Sequence, residues 1–169
     1  MNRCASRYLK QIIFVASATL LAGCAIFGNI EDPAKKNVNI KYETPDSPFE
    51  KLDTTNTDSA WQSSVTGNTI AVNSTCAKGL EKDPKDLQIS ILSGVENLKI
   101  ESDQPIKVDG NNGRRVIADG RTDGINIRAD IVTLKKGECA YDLSYIGRKK
   151  TFDAEHATFE KFIGRFQIP

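Results

Sequence analysis

The 169-residue chain has one histidine, one tryptophan and no methionine beyond the initiator. Catalytic sites most often draw on histidine for proton transfer, and here there is only His156. No H-E-x-x-H, G-x-S-x-G, P-loop or G-x-G-x-x-G pattern occurs, so the common fingerprints of metalloproteases, serine hydrolases and nucleotide-binding enzymes are missing. Neither sign of charge dominates, with 23 basic against 22 acidic residues. Nucleic-acid binders carry a strong basic excess, so no nucleic-acid partner is expected. The apolar run from Ile12 to Leu21 is shorter than the ~20 residues a membrane-spanning helix needs.

That run follows Arg3, Arg7 and Lys10 and closes on Leu21-Ala22-Gly23-Cys24. A basic flank, about ten apolar residues and small residues before a cut are the parts of a secretory signal. With cysteine at the cut, the ending resembles the lipobox of bacterial lipoproteins. The resemblance implies removal of residues 1–23, lipidation of Cys24 and attachment to the membrane through that lipid. Ala25, which is not acidic, implies the inner leaflet of the outer membrane, facing the periplasm. Loss of three basic residues and no acidic one leaves a mature chain of net charge −2.

Processing also changes the cysteine count. Cys4 leaves with the signal and Cys24 carries lipid, so Cys76 and Cys139 remain. An even pair in an exported chain reads as one disulfide, whose loop of about 64 residues would stabilise by ~4 kcal/mol. Two buried thiols that never meet are the alternative.

Residues 24–48 are polar, with Pro33, Pro45 and Lys35-Lys36, and read as a flexible tether spanning ~27 Å, although the alternation in Val38-Asn39-Ile40-Lys41-Tyr42 also fits a short edge strand. A single folded domain is expected over 49–169. In Thr69–Cys76 the period of two puts Ile70, Val72, Ser74 and Cys76 on one face. Asp83-Pro84 starts a helix that runs to about Asn97, with Leu87, Ile91, Val95 and Leu98 as its buried stripe and Leu92 beside it. Lys85, Gln88 and Glu96 then face water. Gly94, inside that helix, implies close packing on a sheet. Four strands follow, over 98–108, 114–121, 125–134 and 139–146, separated by glycine-bearing turns that force an antiparallel meander. Phe152–Phe166 closes the chain as an amphipathic helix with Phe152, Phe159, Phe162, Ile163 and Phe166 on its apolar side.

Candidate chemistry is sparse. His156 sits at the border of the last helix's apolar stripe, where a histidine without chemical duty is the commoner arrangement. A Cys-His nucleophile built on Cys76 or Cys139 is the enzymatic alternative. Asp109, Asp119, Asp123 and Asn126 lack the alternating spacing of a calcium loop and read as turn residues. No catalytic residue, metal ligand or cofactor is assigned. Arg114, Arg115, Lys135, Lys136, Arg148, Lys149 and Lys150 would form a positive rim for an anionic partner if the hairpin ends gather, and a solvated strand-end rim if they do not.

The order strand, helix, long meander, C-terminal helix resembles the PsbP-like fold shared by the extrinsic photosystem protein PsbP, the import factor Mog and bacterial DcrB lipoproteins. The likeness is carried by Trp61 to Cys76, Asp83-Pro84, Asp109-Gly110 with Val116 and Gly120, Tyr141-Asp142-Leu143, and the Phe159, Phe162, Phe166 ending. Small bacterial lipoproteins of unknown function are similar in layout. It implies an α+β domain, an antiparallel sheet covered by two helices, that acts by binding an envelope protein and not by catalysis. A small-ligand or lipid carrier is the alternative. No metal-binding or Ran-binding residue of those families has a match here.

Overall fold

The computed structural model describes residues 35–169 apart from Val38, Asn56, Glu81 and Lys82. The lipobox and Cys24 lie outside the described residues. Seven strands form one antiparallel sheet: β1 (Phe49–Leu52), β2 (Ser59–Ser63), β3 (Thr69–Cys76), β4 (Glu96–Val108), β5 (Asn111–Thr122), β6 (Ile125–Lys136) and β7 (Cys139–Arg148). Their order is β1-β2-β3-β7-β6-β5-β4. The meander β4 to β7 is the local product of its turns. Asp109-Gly110 and Asp123-Gly124 both have positive φ at two successive residues, the requirement of the two-residue hairpin turn that matches strand twist. The fold is α+β, as the alternation and the turns predict.

Two helices cover opposite faces. On one, a 3-10 turn (Phe152–Ala154) and α2 (His156–Gly164) replace the single helix expected over 152–166. The phenylalanine pattern nevertheless works as read. Phe152, Phe159, Phe162, Ile163 and Phe166 join Trp61, Ile70, Val72, Val132, Leu134, Tyr141, Leu143 and Tyr145 in the main core. Trp61 and Phe162 rings lie 5.6 Å apart in an edge-to-face contact of the favourable kind.

On the other face α1 (Pro84–Leu92) packs over β5 and β6, on a smaller core of Leu92, Val116, Ala118, Ala129 and Ile131. Asp83 caps it, its side chain accepting from the Lys85 amide at 2.8 Å, as predicted. The helix stops at Leu92, and Val95 and Leu98 fall outside it. Its rotation also differs from the predicted stripe. Leu92 is buried as expected beside the stripe, but Gln88 is buried too, whereas Ile91 and Leu98 are exposed. Gln88 goes inward because the sheet beneath offers acceptors: its Nε2 donates to the carbonyls of Arg114 (2.8 Å) and Ile131 (3.2 Å). The close approach expected at Gly94 occurs at Gly120, whose missing side chain leaves room for Val95; Gly94 itself faces open space.

β6 is covered on both sides, and Ala129 to Leu134 are buried without a break. Alternation puts Ala129 and Ile131 under α1 and Val132 and Leu134 in the α2 core. The segment 35–48, expected as tether, belongs to the fold. Lys35 pairs with Cys76, Lys41 pairs with Gln167, and the Tyr42 ring packs 5.5 Å from Trp61. Asn37 bonds the Tyr141 hydroxyl and the Ser74 side chain, each at 2.7 Å. Among the described residues, the packed part of the chain therefore includes Lys35 and does not start at residue 49.

Candidate binding surface

The two faces differ in how completely they are covered. Of the seven exposed large hydrophobic residues among those described, only Val65 lies away from the α1 side. Ile89 and Ile91 are on α1 itself. Leu98 and Ile100 are on β4, where Ile100 pairs with Ala118 and so shares its face. Ile125 and Ile146 lie on the same face by the strand period, since Ile146 pairs with Ala129 and Ile125 is four residues before it. A nine-residue helix is too short to cover a sheet whose central strands run to twelve residues.

The uncovered part has two features. Between α1 and β4 runs a groove of about 360 Å³, floored by Leu92, Val95 and Val116 and edged by Ile89, Leu98 and Ile100. Asp103 stands at its rim and pairs with Arg114 at 2.5 Å. Its outer wall, β4, is an edge strand interrupted twice by register shifts near Glu96–Lys99 and Ile100–Ser102. Together with Pro105, those irregularities blunt the edge against addition of another strand. The second feature is a depression of about 530 Å³ at one end of the sheet, lined by Ile125, Asn126, Arg148, Lys149 and Lys150.

The basic residues, which would make one rim only if the hairpin ends gathered, fall at two ends of the sheet. Arg114 pairs with Asp103 on the α1 side. Arg115 lies on the opposite face, forked onto Asp130 at 2.9 and 2.5 Å and also bonded to Glu160. Lys136 donates to the carbonyls of Ile168 and Pro169. Lys135 and Lys136 end β6, while Arg148 ends β7, which runs the other way; the length of β7 separates the two groups by ~30 Å. Arg114 and Lys135 are diagonal neighbours at one end of the sheet, and Arg148, Lys149 and Lys150 lie together at the other.

Two charge networks lie on the α2 face. Asp119 accepts from Arg128 (2.7 and 3.0 Å) and Lys149 (2.6 Å). The Arg128 hydrogen bond chiefly, with that of Lys149, holds its carboxyl well below the usual carboxylate range in spite of burial. The Arg128 guanidinium also lies over the Phe152 ring, 5.8 Å from its centre. In the second network Asp130, with no exposed surface, meets the Arg115 fork and His156 Nε2 at 2.7 Å. Asp130, His156 and Glu160 have donor atoms within 4.8 Å of one another, a metal-ligand set by type. The guanidinium of Arg115 already supplies the positive charge between Asp130 and Glu160, so the network is complete as an ion pair. Asp130 matches no motif in the sequence. Its signal is that of the one charged residue in the stretch Ala129 to Leu134, a position that requires a partner once the stretch is buried.

Cys76 and Cys139 are directly opposed on β3 and β7 and joined by a disulfide, with Cα atoms 4.1 Å apart. Asp109 accepts from the Ile168 amide, and Asp123 occupies a hairpin turn.

The α+β architecture is similar in fold to several solved structures, a PsbP among them. The solution structure of cyanobacterial PsbP (CyanoP) from Synechocystis superposes with a TM-score of 0.54 at 9% identity, covering 88% of this chain and 99% of that one. LpqN of Mycobacterium tuberculosis, described as involved in cell envelope biogenesis, gives 0.60 at 12% identity, covering 82% and 86%. A Pseudomonas aeruginosa protein of unknown function gives 0.50 at 10%, covering 83% and 87%. At these identities the likeness is one of fold. No family model and no curated protein matches the chain.

Proposed function

We propose that this chain is a lipid-anchored envelope protein, held through Cys24 in the inner leaflet of the outer membrane, whose domain binds a partner and performs no chemistry of its own. The observation that carries this reading is the one-sided exposure of apolar side chains around α1 and the groove beside it. A contiguous exposed apolar surface rimmed by polar residues is the mark of an interaction site. The lipobox at Leu21–Cys24 supports the anchoring, and the likeness to LpqN supports the setting. A Cys-His nucleophile on Cys76 or Cys139 would need a free thiol, and those two sulfurs are bonded to each other.

A photo-crosslinking residue at Leu98, compared with one at Lys161 on α2, tests the reading in the native envelope. Adducts to a protein from Leu98 and none from Lys161 are expected. Equal labelling from both positions overturns it. The groove's volume falls within the range of small-molecule sites, which favours a lipid or small-ligand carrier as the second reading. Adducts from Leu98 to lipid alone would establish that one. The mass of the mature protein tests anchoring separately, through the diacylglyceryl group on Cys24.

A further inference from the structure

We propose that the end of the sheet formed by the β5–β6 turn and the exit of β7 is a second contact surface, which docks on phosphate-bearing anionic lipid headgroups. Three observations converge there. Arg148, Lys149 and Lys150 line a concave surface together with Ile125 and Asn126. Lys149 is committed to Asp119, but among the described residues Arg148 and Lys150 have no anionic partner. The depression therefore presents two unneutralised cations.

The apolar component is equally local. Ile125 is 44% exposed and Ile146 36% exposed, and Ile127, opposite Arg148 in the ladder, shares their face. Isoleucine at a hairpin end, flanked by cations, is the composition of surfaces that seat apolar side chains at the acyl boundary while basic groups meet the headgroups. A soluble acidic protein would satisfy the cations but offers nothing specific to three neighbouring isoleucines. The Lys149 amide bonded to the Asn126 carbonyl at 3.1 Å ties the β7 exit to the start of β6, so cations and isoleucines move as one unit.

Chain length permits the contact. The chain enters the described domain at Lys35, paired with Cys76 at the opposite end of β7 from Arg148. The ten residues between Cys24 and Lys35 can reach ~35 Å when extended, comparable to the ~33 Å length of β7. A domain on such a lead can lie along the membrane with both ends touching it. This inference deepens the envelope reading and depends on it only for the presence of a bilayer.

The test uses the lipidated full chain in two kinds of vesicle, phosphatidylcholine alone and phosphatidylcholine mixed with phosphatidylglycerol. The variant Ile125→Trp reports insertion through quenching by brominated acyl chains, against the constant background of buried Trp61. Quenching in the anionic vesicles and little in the neutral ones is expected. Adding Arg148→Gln and Lys150→Gln should lower the docked-to-free ratio roughly 30-fold, at about 1 kcal/mol per cation beside an anionic leaflet. Equal quenching in both vesicles, or quenching untouched by the double substitution, overturns the proposal. Flotation with neutral vesicles reads the lipid anchor alone, so loss of anchoring and loss of docking are told apart.

Discussion

A methyl group placed on Gly120 would lie 2.2 Å from Cγ1 of Val95 and 3.0 Å from the carbonyl oxygen of Glu96. Gly120 is in β5 and Val95 in the short connection from α1 to β4. Their contact sets how closely the α1 end of the chain approaches the sheet, and hence the shape of the groove. Gly120→Ala should destabilise the fold by about 1–3 kcal/mol, the usual cost of overpacking. Gly94→Ala, at a position facing open space, should not. Paired urea unfolding curves check both, and a Gly120→Ala variant as stable as Gly94→Ala would show that Val95 simply moves aside.

Asp130 has no exposed surface and depends on Arg115 and His156 for its charge to be tolerated. Removing one partner of a buried pair leaves the other uncompensated and costs about 3–5 kcal/mol. Arg115→Met should therefore cost this much, while Arg115→Met combined with Asp130→Leu should recover most of it. A double-mutant cycle by chemical denaturation gives the coupling. Additive losses would mean that the pair carries no interaction of its own.

The acid limb of stability should depend on Asp119. Its folded-state pKa is depressed, so its contribution is present above the ordinary aspartate value near ~3.9 and is lost as pH falls through the folded value. Asp119→Asn should lower stability by about 2 kcal/mol at neutral pH, the scale of a hydrogen bond to a charged group, and the deficit should close in strong acid. Thermal melts at a series of pH values test this.

Asp142 should behave in the opposite sense. Burial raises its pKa, against the Thr133 hydroxyl that donates to Oδ1 at 2.8 Å. A carboxyl with a raised folded pKa stabilises most in its protonated form and loses that contribution as pH rises. Asp142→Asn keeps the Thr133 bond and should raise the melting temperature by about a few degrees at neutral pH. The gain should disappear below pH ~3.9, where the unfolded carboxyl is also protonated. A gain that persists unchanged in acid would show that charge is not its origin.

The disulfide closes a separation of 63 residues, so replacing both Cys76 and Cys139 by serine should cost ~4 kcal/mol on the loop-entropy estimate. Denaturation of the double variant measures it. A cost near zero would mean that the opposed β3 and β7 strands already hold the ends together in the unfolded ensemble.

Features whose cause lies within a few residues were legible in the sequence. Asp83 caps α1, Asp109-Gly110 and Asp123-Gly124 turn the chain, and the C-terminal phenylalanines enter the core, because caps, turn dihedrals and side-chain period depend on local backbone geometry. The candidate surface was less legible. The helical period and polarity of Gln88 predict exposure to water, yet two carbonyls from different strands draw it inward. Neighbouring basic letters do not make one surface, since Arg114 and Arg115 point to opposite faces as successive strand residues do.

By itself the sequence determined the meander, the capped helix, the phenylalanine core, the lipobox resemblance at Cys24 and the two cysteines able to pair. Tertiary structure decided which way α1 rolled, that 35–48 packs against the domain, that Asp130 is buried and paired, and that one face keeps its isoleucines exposed. The physical reason is one of range. A turn or a strand period is set by dihedrals of adjacent residues, whereas a nine-residue helix has too few contacts to fix its own rotation and takes it from the sheet beneath.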